Sequence, residues 1–256
     1  MTKQITFKNK YAGDNNFFLF LMILIWIVII SGFGYDLLTV QKARGFKFPL
    51  IIHFHAAAFV GWLVLLTVQL ALIRKANYKL HKKLGIAGAY LAGIMVVLGL
   101  AAALISESVK FGTPAADTAF IAIMFCDILY FGIVAGAGLY LRKSPAAHKR
   151  LLLIATIAIT DAGFGRSFSL IYSRMFGPYY WTLKSFAEGF WPYVSFQMFG
   201  TLFLMLLLGA YDLYTRKRLH PVYIYSVALY LVLYITAGWL YFSPTWMHIA
   251  RGLIGH

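Results

Sequence analysis

His55, Trp62 and Gln69 lie seven residues apart in the apolar stretch PLIIHFHAAAFVGWLVLLTVQ, Pro49 to Gln69. On an α-helix that spacing forms one stripe, drifting by about 20° per heptad. His53, two residues before His55, points to nearly the opposite side of such a helix. Asp127, Asp161 and Arg166 stand in other apolar stretches. An ionisable group inside a bilayer costs on the order of 2.5–3.5 kcal/mol on insertion scales, so these residues are expected to face inward and to pair. Counting about 1.5 Å per helical residue, His55 lies roughly 8 Å and Asp127 roughly 14 Å from the outer ends of their helices. His55, Trp62, Asp127, Asp161 and Arg166 are thus expected to share a layer in the outer half of a helix bundle.

Imidazole with carboxylate suits zinc, copper or non-haem iron. The candidate metal ligands are His55, Asp127 and Asp161, with His53 or His248 as a fourth. The competing reading is a hydrogen-bonded polar network that fixes helix register, with Trp62, Gln69 and Arg166 as members. Asp161 and Arg166 are five apart, a poor spacing for a pair on one helix, so Arg166 is expected to bridge to Asp127. Three further histidines, His81, His148 and His220, each follow a basic pair at a helix start. Two of them facing each other would suit axial haem ligation. The favoured reading is a cationic interface holding lipid phosphates or another anion, with Asp212 as a salt-bridge partner. The single Cys126 excludes an internal disulfide and any cysteine-based metal motif.

The elements that must position these groups are membrane spans. The 256-residue chain is 61% hydrophobic and 12% charged, against roughly half and a quarter in soluble domains. The expected fold is all-α: an integral membrane bundle in one domain, 1–256. Its seven transmembrane helices are expected near 16–35, 50–73, 82–105, 118–141, 150–173, 193–213 and 222–242, with an interfacial amphipathic helix at 244–255. The net charge of +15 sits between apolar runs, where it sets topology and meets anionic headgroups; nucleic-acid binding is not expected. The amino terminus and the loops after spans two, four and six hold 15 Lys and Arg, the other side seven. The N-terminus is therefore expected inside and the C-terminus outside. Gly85/Ala89/Gly93 and Gly132/Gly136 form small-xxx-small pairs suited to close helix contact. The aromatic segment 174–192 is expected to belong to a membrane interface.

The series HFHAAAFVGWLVLLTVQ, LHKKLG, AHKRLLLIAT and YDLYTRKRLHP resembles an uncharacterised family of bacterial polytopic membrane proteins with a His-rich second span, an LHRRLG-like turn and an HKRL-like helix start. The resemblance covers roughly 49–221. More distantly, LHKKLG and HKRL are similar to elements of small membrane proteins linked to cytochrome oxidase maturation. The resemblance implies a bacterial cytoplasmic (inner) membrane location and a tie to haem or copper, and it supplies no catalytic residues.

The leading functional expectation is a buried His/Asp site that binds a metal or haem in a redox or assembly role. One rival is a membrane-embedded lipid hydrolase with a metal-activated water and an Asp base, so the residues leave open whether the protein is an enzyme. The others are a proton-coupled small-molecule transporter using Asp127, Asp161 and Arg166, and a scaffold without chemistry. The absence of clear helix breaks, apart from Gly163/Gly165, counts against transport. Expected partners are membrane lipids and either a second membrane protein or further copies of the chain.

Overall fold

A computed structural model describes residues 11–35, 37–38, 47–113, 116–176 and 190–256. No strand occurs among them. The helices are α1 (Asp14–Tyr35), α2 (Leu50–Arg74), α3 (Tyr78–Lys110), α4 (Ile121–Tyr140), α5 (Pro145–Ala158), α6 (Asp161–Phe176), α7 (Phe190–Arg216), α8 (Pro221–Tyr241) and α9 (Pro244–Leu253). Six helices among the described residues are long and apolar enough to cross a membrane, or seven if the bent pair α5/α6 is one span. The chain is therefore an all-helical protein of the multi-pass membrane type. The aromatic segment expected at an interface falls mostly outside the described residues, as do Lys42 and Arg44 of the first loop.

The turns α2–α3, α4–α5 and α7–α8 and the start of α1 gather at one end, here the basic end. Asn77 caps α3, accepting from the Leu80 amide at 3.2 Å. Pro145 and Pro221 open α5 and α8, positions where a missing N–H costs nothing. Two contacts to the amino-terminal helix complete the end: Arg74 donates to the Asn15 carbonyl at 3.3 Å, and Lys149 to the Asp14 carboxylate at 2.5 Å.

Packing follows the small residues, one register away from the sequence expectation. Ala89 and Gly93 are exposed, whereas Gly88, Ala92, Met95, Gly99 and Ala102 form the buried face of α3. A Cβ on Gly88 would lie 2.8 Å from Leu65 of α2, and one on Gly99 3.1 Å from Ile128 of α4. Three- and four-residue steps from Gly88 follow the 3.6-residue period, so both series fit small-xxx-small spacing and only packing separates them. Of the α4 pair, Gly132 packs on Val96 while Gly136 meets nothing. The closest approach joins α1 to α6: a Cβ on Gly32 would sit 2.3 Å from the Gly163 carbonyl oxygen. Ser31 and Ser167 hydrogen-bond across the same contact at 2.8 Å.

The fifth span is expected over 150–173, with Gly163/Gly165 as its only candidate break. It breaks instead after Ala158, and α6 leaves at an angle of 41°. Thr160 lies at the break, where its hydroxyl donates back to the Ile157 carbonyl at 2.6 Å. A threonine hydroxyl bonded to nearby backbone competes with the helical ladder. The Thr160 carbonyl then accepts from the Gly163 and Phe164 amides at 2.9 and 3.0 Å, starting α6 with Asp161 as its first residue.

The C-terminal helix α9 folds back against the other end. Ala250 and Ile254 bury themselves with Ile121, flanked by Leu104, Phe111 and Trp246. The Trp246 indole N–H donates to the Ala119 carbonyl at 3.1 Å, and His256 stacks on Phe111 at 3.9 Å.

Candidate functional site

Asp127 sits six residues into α4, about 9 Å from its start. Asp161 opens α6 at the broken span. Tyr234 of α8 reaches both: its phenol hydrogen-bonds the Asp127 carboxyl, and its oxygen lies 2.6 Å from Asp161 Oδ2. Asp161 is 7% exposed and Tyr234 2%, while Asp127 keeps a partly exposed edge. The result is a carboxyl–phenol–carboxyl bridge between three helices in the half of α8 nearer α9.

Two further hydroxyls complete the cluster. Tyr230, one turn before Tyr234, packs against it with ring centroids 4.2 Å apart and planes tilted by 36°. Thr201 of α7 lies within interaction range of Tyr230. Both residues are 0% exposed, and neither hydroxyl makes a hydrogen bond of normal geometry among the described residues, the two facing each other and Tyr234 at longer range. Buried polar groups are rarely left without a close partner, and these two lie beside the acid pair.

The other expected site residues are placed differently. Trp62 is buried, as the helical stripe required, and its indole N–H donates to the Thr156 hydroxyl at 3.0 Å, edge-on to Phe131. Gln69 donates to the His81 carbonyl at 3.2 Å and so ties α2 to α3. His55 is only half-buried and makes no hydrogen bond among the described residues; His53 and His248 are exposed. No three His, Cys, Asp or Glu side chains converge to hold a metal among the described residues. The expected His55/Asp127/Asp161 ligand set is therefore not assembled: Tyr234 occupies the position between the two carboxyls, and His248 lies on the exposed side of α9. Nor does Arg166 bridge to Asp127. It donates to the Ala162 carbonyl at 2.9 Å, its guanidinium lies 4.4 Å from the Phe33 ring, and its charge reaches Asp161.

At the basic end, His81 and His148 do meet, with ring centroids 6.5 Å apart and planes at 83°. His148 Nδ1 pairs with the Gly138 carbonyl at 2.8 Å. His220 instead caps α8, accepting from the Val222 amide at 3.3 Å. Burial and the nearby Arg150 charge hold the His220 imidazole below its ordinary pKa, Asp212 opposing them. The expected salt-bridge role of Asp212 is present and larger than anticipated. Arg150, fully buried, grips Asp212 with two nitrogens at 2.6 and 2.5 Å. Arg216 spans Asp212 at 3.0 Å and Asp14 at 2.6 Å, and Tyr211 donates to Asp14 at 3.2 Å. This network locks α1, α5 and α7 together.

Tyr234, Tyr230 and Thr201 went unnoticed in the sequence, as did Asp14. The usable signal was the spacing of Tyr223, Tyr230, Tyr234 and Tyr241, in steps of seven, four and seven, which places four phenols on one face of α8.

No family model, curated protein or solved structure matches the chain.

Proposed function

We propose that this protein is a membrane transporter whose driving proton is carried by the Asp127/Asp161 pair. The bridge through Tyr234 carries the reading. A phenol has one hydrogen and can donate to only one of two carboxyls. The second contact then calls for a protonated carboxyl, which can donate to the phenol oxygen or directly to the neighbouring carboxylate, since the two carboxyls lie within reach of each other. The stable arrangement is one proton shared between two carboxyls, as in other acid pairs that cannot both ionise. If the phenol gives its hydrogen to the carboxylate while its oxygen takes the proton of the acid, the proton crosses the bridge, the phenol ends neutral and the pair keeps one negative charge throughout.

The site's position supports transport over a fixed structural network. Discontinuous helices near the middle of a bundle are where transport proteins build their binding sites, and Asp161 begins the second half of such a helix. On this reading the basic end faces the cytoplasm of a bacterial cell, as the positive-inside rule requires.

The test is infrared difference spectroscopy of the protein in lipid during pH titration. The expected result is a protonated-carboxyl band that changes with pH and disappears in both Asp127→Asn and Asp161→Asn. A spectrum without such a band, or a band that survives both substitutions, removes the basis of the proposal.

A further inference from the structure

The geometry points to a hydroxyl relay along α8 that connects the Asp127/Asp161 pair to Asp212 at the basic end. It rests on the proton-carrying reading of the pair and adds the route by which that proton exchanges.

The relay is read from which side chains line each half of α8. Toward the basic end the buried face carries Tyr230, Ser226 and Tyr223. Thr201 from α7 and Tyr130 from α4 add two more hydroxyls, and Tyr130 donates to the Ser226 carbonyl at 3.0 Å. Tyr223 donates to the Leu208 carbonyl at 3.2 Å and interacts with Asp212. Toward the other end, Tyr234 is followed on the same face by Ala237 and Gly238, opposite the apolar Ile121, Ala122 and Ile123 of α4. Toward the basic end a hydroxyl therefore follows the pair at each turn, whereas on the other side a turn of small apolar residues separates the pair from Tyr241, whose hydroxyl is engaged by Asp117 at 2.9 Å.

Side chains of a helix lean toward its N-terminus, which for α8 is the basic end. Each phenol thus reaches toward the next group in the series. From Tyr234 to Tyr223 the helix rises about 16 Å, more than direct contacts cover, so water must complete the chain. The hydroxyls of Tyr230 and Thr201, without a close partner among the described residues, are where such a water would find its partners. Each step is a neutral exchange: a hydroxyl oxygen accepts a proton from one side and releases its own hydrogen to the next acceptor. The hydroxyls then rotate back, and no oxidant or co-reactant is needed.

The test uses the full-length protein reconstituted in one orientation in phospholipid vesicles. A rapid pH jump is applied on one face at a time, and the carboxyl band of the pair is followed. The expected result is that Tyr230→Phe and Thr201→Val each slow the response to a jump on the basic face by tenfold or more, with the response from the opposite face unchanged. Tyr→Phe keeps the ring and its packing, and Tyr241→Phe serves as a control that leaves the basic-face response at the wild-type rate. Wild-type rates in both Tyr230→Phe and Thr201→Val overturn the relay while leaving the proton-carrying pair intact. Absence of a pH-responsive band in the wild-type protein overturns both.

Discussion

Replacing Tyr234 by Phe isolates the bridge, because it removes one oxygen and keeps the ring that packs against Tyr230. The phenol serves two carboxyls, and an abandoned buried polar partner costs about 1–3 kcal/mol. Asp161 is buried and bears the full penalty, whereas the exposed edge of Asp127 recovers some of it from solvent. The expected loss is therefore about 2–4 kcal/mol. For a chain of this size, taken with the relation for soluble domains, that corresponds to a fall in Tm of about 4–16 °C. The assay is thermal unfolding in a mild detergent, repeated for Asp127→Asn and for the double variant. The Asn amide can donate to Asp161 when the phenol is gone, so the double variant should be more stable than Tyr234→Phe alone. Additive losses would show that Tyr234 and Asp127 act independently and that the bridge reasoning is wrong.

Arg150→Met is expected to lower stability by about 3–5 kcal/mol, because it leaves Asp212 buried against a methyl group; the second contact from Arg216 holds the loss near the lower figure. Thermal unfolding checks this, and Arg150→Met/Asp212→Leu should recover most of the loss. At the start of α8, the held-down pKa of His220 means that the folded protein binds fewer protons there than the unfolded chain. Stability from this group is present above its ordinary pKa, near 6.5, and is lost as pH falls below that value. Comparing unfolding at neutral and mildly acid pH should show a decline that His220→Asn, which retains a capping acceptor, reduces.

The helical class and the approximate spans were legible because an apolar run long enough to cross a bilayer has few alternatives in composition. Azimuth was not. His55 is half-buried rather than turned fully inward, and the small-residue face of α3 is Gly88/Ala92 rather than Gly85/Ala89. Each assignment needed the neighbouring helix, which a single sequence does not supply. The break after Ala158 was hidden because no proline or glycine stands at it; Thr160 does, and a threonine bonded back to its own backbone also occurs inside unbroken helices, as at Thr67 and Thr156.

The distribution of acids explains why histidine was the weaker guide. The chain has 23 basic residues and eight acids, so most of its cations must meet lipid headgroups or solvent and only the acids are scarce. Six of the eight lie among the described residues, and none is left to solvent alone. Asp14 and Asp212 take Arg216, Lys149 and Arg150 at the basic end. Asp127 and Asp161 share Tyr234. Glu107 pairs with Lys110, and Asp117 accepts from Tyr241 at 2.9 Å at the opposite end. The outer two levels neutralise their carboxylates with cations or lie where water is near. Only at the middle level does one phenol hold two acids together; it carries no charge to offset an anion but can pass a hydrogen. A level built solely to hold helices together would gain more from a cation or from apolar packing; an acid pair bridged by a hydroxyl retains the one property those alternatives lack, a proton that can move.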